Sequence, residues 1–241
     1  MDVTIERRFR GPNRSGNGGY VCGVIAEAMG GAPAKVRLHA PPPLDVPLTL
    51  EPDDDHWYLR QGETIIGSGS PAALTNVPPA PPSLEEAREA VARYAGKDEH
   101  VFPECFVCGI DRGPPEALGI HPGPVPGRDL VAAPWTPPDD FALEDGTVRP
   151  AIAWAALDCP SYFGMQRTGL AAVLGTLHAA ILEPIWTGEE HVVVGWRGPV
   201  DGRKHAAGSA IFSADGQLLA KGRALWIELS EPIEDGGVAG T

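Results

Sequence analysis

The stretch RPAIAWAALDCPSYF, Arg149 to Phe163, sets a carboxylate against an unusually apolar run. Every residue from Ala151 to Leu157 is apolar, and Asp158 follows at once. Burying such a carboxylate is costly unless something partners it or uses it. In use, it can take a proton from water as a general base, or attack an acyl carbon itself. The spacing predicts a helix from Pro150 to about Cys159, with Asp158 near its C-terminus. There the helix dipole and the apolar surroundings would both raise the carboxyl pKa. An Asp tied to a backbone amide or an Arg, for structure alone, is the competing reading.

Other groups could complete such a site. Gly18 and Gly19 precede a short small-residue helix, where backbone N–H groups favour a developing oxyanion. An ordinary flexible turn accounts for a Gly-Gly equally well. Asn13 and Asn17 could donate to a substrate carbonyl, or cap the helix. Glu27 is a displaced base or a solvated helix side chain. His39 and His178 recur in two LHA segments, and two equivalent copies suggest packing. Cys105 and Cys108 form CFVCG, and His100 and His121 could make a two-Cys, two-His zinc site. Their spacing is irregular, and Cys22 and Cys159 fall in two different helices. The reading is therefore a loop with two half-buried thiols, no metal and no redox cofactor.

The elements that must position these groups come in a repeated order. In the first half a strand near VTIERRF leads through GPNRSGNGG to a helix over Tyr20–Met29. Strands follow at AKVRLHA, VPLTLE, HWYLRQ and ETIIGSG. The second half repeats this: a hairpin in LGIHPGPVPGRDLVAAPW, the helix from Pro150, then strands at AVLGTLHAAILE, EEHVVVGWRG, HAAGSAIFS and QLLAKGRALWIEL. RLHA parallels TLHA, and GETIIGSG parallels GQLLAKGR. Between the halves, NVPPAPPS reads as an extended linker. It runs into a helix capped by Ser83 and Glu86, apolar at Leu84, Ala87, Val91 and Tyr94, and stopped by Gly96. The expected division is 1–78, a linker with its helix over 79–100, 101–230, and a flexible tail over 231–241. A helix wrapped by an antiparallel sheet, twice over, is an α+β architecture.

Composition narrows the partners. The chain has 241 residues, with 32 acidic against 19 basic side chains and a net charge of −13. That argues against nucleic acid or an anionic membrane as the main partner. The charged N-terminus has no apolar core of a secretory signal, and no run approaches the ~20 apolar residues of a membrane helix. Four cysteines without such a signal suggest reduced thiols and a cytoplasmic location.

This layout resembles the double-hotdog proteins, and in particular the type II acyl-CoA thioesterases. NGGYVCGVIAEA is similar to the first-half helix of that family, RPAIAWAALD to the second-half helix with its catalytic Asp, and GTLHAAI to the strand that carries a Ser or Thr. In single-hotdog thioesterases an acid lies nine positions after the residue that opens the helix. Nine from Arg149 is Asp158; nine from Asn17 is Ala26. The resemblance implies one working site per chain, with Gly18 and Gly19 from one half and Asp158 from the other. It implies hydrolysis of acyl-CoA, with Asp158 activating water, Gly18 or Gly19 polarising the carbonyl, and Thr176 helping to hold the water. The family also uses a Gln on its last strand, but AKGRALW contains none. A non-catalytic acyl-CoA or lipid-binding protein is therefore the rival reading. Arg203, Lys204 and Arg223 lie in a locally basic stretch that could hold the coenzyme phosphates, or could merely keep strands from aggregating. The six tryptophans would supply core or an acyl tunnel. Self-association into a homo-oligomer is compatible with the resemblance.

Overall fold

The computed structural model describes residues 1–98, 100–167 and 170–230, so the tail expected over 231–241 lies outside the described residues. Strand β1 (Asp2–Thr4) and a 3-10 turn at Arg7–Phe9 lead into α1 (Gly18–Ala28). Strands β2 (Ala34–Leu38), β3 (Pro47–Asp53), β4 (His56–Gln61) and β5 (Thr64–Pro71) follow. After α2 (Leu84–Val91) come a 3-10 turn at Ala95–Lys97, β6 (Gly123–Pro124), β7 (Val131–Trp135) and a third 3-10 turn at Asp139–Phe141. Then α3 (Pro150–Gly164) is followed by β8 (Ala172–Ile181), β9 (His191–Asp201), β10 (Lys204–Ser213) and β11 (Leu218–Glu228).

The strands form one antiparallel sheet in the order β1-β3-β4-β5-β2-β8-β11-β10-β9-β7-β6. The order reads nearly the same from either edge, as two copies joined at β2 and β8 require. Arg37 pairs with Thr176 at that join, so RLHA and TLHA meet as equivalents. The entries to α1 and α3 are also built alike. Asn17 N–H donates to Phe9 O at 2.7 Å, and Arg149 N–H donates to Phe141 O at 3.0 Å. Bridges Arg10–Gly16 and Ala142–Val148 close the two loops in the same way. Asn17 and Arg149 are thus matching helix N-caps, and Asp158 stands where α1 has the buried Ala26.

The two central helices pack antiparallel at very short range. A Cβ on Gly19 would lie 2.4 Å from Asp158 Cβ, and one on Gly23 would lie 2.6 Å from Ala151 Cα. Only glycine admits that approach. Around them the inner face of the sheet supplies Leu50, Leu59, Leu177, Val193 and Ile211, all buried. The alternate residues Val192, Val194, Ala210 and Phe212 face outward and are covered by Ala87 and Ala90 of α2 with Val125 and Leu130. The strand alternation therefore has two apolar faces here, and α2 covers the second.

All three helices differ from expectation in a boundary, and α1 runs from Gly18 to Ala28, so Gly18 and Gly19 form its first turn instead of preceding it. The predicted capping box of α2 is formed: Ser83 Oγ accepts from Glu86 N–H, and Glu86 Oε2 accepts from Ser83 N–H. The helix ends at Val91, however, and Tyr94 and Gly96 lie beyond it in a turn and a 3-10 segment. Helix α3 does not stop at Cys159 but runs through Pro160 to Gly164. Asp158 therefore lies in its interior, and the argument from the C-terminal dipole falls.

Candidate active site

Asp158 is 2 % exposed, and its position is set by the opposite helix. Its Oδ2 accepts from Gly19 N–H at 2.9 Å and from Asn17 Nδ2 at 3.0 Å. Its Oδ1 is equally buried and has no hydrogen-bond partner among the described residues. Burial pushes the carboxyl pKa up to about 7, against the lowering effect of the Gly19 and Asn17 donors. Desolvation supplies the shift that the sequence reading assigned partly to a helix end.

Asn17 does two jobs. Its Oδ1 caps α1 by accepting from Tyr20 N–H at 2.9 Å, while its Nδ2 holds Asp158. The sequence reading set capping and function against each other; here one side chain serves both.

A cavity of about 460 Å³ opens beside this carboxylate, between the halves. Leu38, Phe102, Phe163, Leu174, Trp226 and Ile227 make much of its wall, and Asn17, Gly18 and Asp158 reach it. Gly19 N–H is spent on Asp158, and Asn17 Nδ2 is aimed at Asp158 and two sulfurs. Neither is free to polarise a bound carbonyl. Gly18 N–H, at the first turn of α1, has no partner among the described residues. The matching position on α3 is Pro150, which has no N–H to offer.

Several expected residues stand elsewhere. Thr176 does not line the cavity. A β-bulge explains it: Leu225 pairs with Thr176 and Trp226 with Leu174, leaving Gly175 over and turning Thr176 off the face that carries Leu174. Asn13 does not line the cavity either. Nor do Arg203 and Lys204, at the β9–β10 hairpin, or Arg223, which borders a separate small depression with Asn76 and Trp196. The arginine that does line it is Arg167, 3.9 Å from Glu228. It follows α3 by three residues, and the early stop assumed for that helix hid it. Glu27 is a half-buried helix residue away from the cavity wall. His39 reaches the wall with its ring on Ser68 Oγ, and His178 donates to Ala72 O. In the last strand the side chains at the cavity are Trp226 and Ile227, and Trp226 Nε1 donates to Ser161 Oγ at 2.9 Å.

The cysteines depart most from expectation. Cys105 and Cys108 are fully buried, not half-buried, and Cys159 of α3 joins them. His100 and His121 stay outside the group, bonded to Cys108 O and Gly109 O.

No protein-family model matches the chain, and no curated protein does. Solved structures do. A conserved protein with a hot dog fold from Alicyclobacillus acidocaldarius matches with a TM-score of 0.61 at 13% identity, over 95% of this chain and 93% of that one. The acyl-CoA thioesterase II TesB2 of Mycobacterium marinum matches with a TM-score of 0.60 at 13% identity, over 95% and 92%. The tesB protein of Mycobacterium avium subsp. paratuberculosis matches with a TM-score of 0.56 at 12% identity, over 89% and 87%. At such identities the likeness is one of fold, and it spans almost the whole chain. With its mirrored strand order and paired central helices, the chain has the double-hotdog fold, and it shares that fold with these structures.

Proposed function

We propose that the chain hydrolyses acyl-CoA thioesters at the cavity between its halves. The observation that carries this reading is the buried Asp158 carboxylate, with Oδ2 fixed by Gly19 and Asn17 and Oδ1 unpartnered at a largely apolar cavity. A buried carboxylate oxygen left without a partner calls for one, and a bound water would supply it. The acyl chain would occupy the apolar wall, with its carbonyl oxygen at Gly18 N–H. Asp158 takes a proton from a water, whose oxygen attacks the carbonyl carbon. The tetrahedral oxyanion collapses, the C–S bond breaks, and the proton returns from Asp158 to the leaving thiolate. A carboxyl pKa of about 7 suits both halves of that exchange. Arg167 is the cation placed to meet the coenzyme phosphates, in place of Arg203, Lys204 and Arg223.

One observation favours the rival, a non-catalytic acyl-CoA or lipid-binding protein. Trp226 presents an indole already donating to Ser161, so that strand offers no carboxamide to hold a water. A panel of acyl-CoA substrates with detection of released thiol separates the two. Turnover that depends on Asp158 supports hydrolysis; saturable binding without turnover supports the rival.

A further inference from the structure

Cys105, Cys108 and Cys159 bring their sulfurs within 4.8 Å of one another, and those of Cys105 and Cys159 are 3.7 Å apart. All three are buried and all three border the cavity. The geometry points to a binding site for one thiolate-preferring d10 cation of the Zn²⁺ class, held by these three sulfurs.

Four features carry it. Zinc–sulfur bonds of ~2.3 Å at tetrahedral angles place sulfurs roughly 3.8 Å apart, which the Cys105–Cys159 pair already matches. The loop that carries Cys105 and Cys108 is a tight knuckle, closed by Gly109 N–H donating to Cys105 O at 2.9 Å. A Cβ on Gly109 would lie 2.4 Å from Pro103 O, so that turn takes only glycine. Asn17 Nδ2 lies 3.8 Å from Cys105 Sγ and 4.0 Å from Cys159 Sγ. Cysteines buried as small hydrophobes do not gather donors in this way; thiolates do. With three protein ligands, the fourth position faces the cavity, the arrangement of an open rather than a closed zinc site.

The site stands independently of thioester hydrolysis, and its test reads metal, not turnover. The full chain is purified in tris(2-carboxyethyl)phosphine without chelator, stripped, and titrated with Zn²⁺ against a chromophoric competitor and with Cd²⁺ by ultraviolet absorbance. One equivalent per chain, with a thiolate-to-cadmium charge-transfer band, is the expected result. Cys159→Ser and Cys105→Ser should each weaken binding at least ten-fold, and Cys22→Ser, outside the cluster, should leave it intact. Absence of the cadmium band in folded wild-type chain would overturn the proposal. So would unchanged stoichiometry and affinity in a folded Cys159→Ser variant.

Discussion

Gly19 N–H and the Asp158 carboxylate meet at 2.9 Å across 139 residues of chain, one at the first turn of α1 and the other within α3. The contact joins the halves where an acid of one central helix faces the N-terminus of the other. At the matching place in the other half-pair, Ala26 replaces the acid, and Pro150, the counterpart of Gly18, has no N–H to offer. Asp158 is thereby the seam of the two halves and, in the proposed hydrolysis, the reactive group of the cavity.

Gly19→Ala tests the seam. The new methyl would stand 2.4 Å from Asp158 Cβ and 2.9 Å from Trp154 O, so the helices must separate. A loss of about 1–3 kcal/mol in denaturant unfolding is expected, with loss of thiol release. Wild-type stability in this variant would contradict the packing described.

Asp158→Asn should move stability the other way. The carboxylate is buried with Oδ1 unpartnered, and a neutral amide of the same size removes most of that burden. Its oxygen can still accept from Gly19 and Asn17. A gain on the order of 1–3 kcal/mol in urea unfolding is expected. A loss of similar size would mean that the carboxylate is there for structure.

His191 provides a pH signature away from the cavity. It is 1 % exposed, its Nδ1 lacks a hydrogen-bond partner among the described residues, and burial lowers its pKa below the usual 6.5. The unfolded chain takes up a proton below about pH 6.5 that the folded chain resists. Stability therefore falls as pH drops below that value, and above it His191 contributes no pH dependence. Comparing unfolding of wild type and His191→Gln between pH 7.5 and about 5.5 should show a shallower decline in the variant.

A non-hydrolysable acyl-CoA analogue should bind one per chain. Calorimetry should give a single site whose affinity drops in Arg167→Ala, because Arg167 lines the cavity, and hardly changes in Arg223→Ala. Two equivalent sites per chain would be inconsistent with the Ala26 and Pro150 face.

Much of this was legible in the sequence where local pattern sets the outcome. Strand alternation, the Ser83 capping box and the spacing of Asn17 and Arg149 from Ala26 and Asp158 are properties of single elements, and each appears in the fold. The rest depends on contacts between elements. The apolar run predicts an end near Cys159, yet α3 continues through Pro160 to Gly164, packed against β9 and β10. Thr176 is displaced by a bulge that only pairing with β11 reveals. Cys159 meets Cys105 and Cys108 because a loop far away in sequence folds over α3. No spacing rule within one segment encodes such a meeting.

The central claim is that Asp158 performs the chemistry, and thiol release by Asp158→Asn tests it most directly. With the substrate that wild type turns over fastest, kcat should fall by about 10²–10⁴-fold, since a general base is lost, while the acyl-CoA analogue binds within a few-fold of wild type. Undiminished kcat in a folded Asp158→Asn chain would contradict the account.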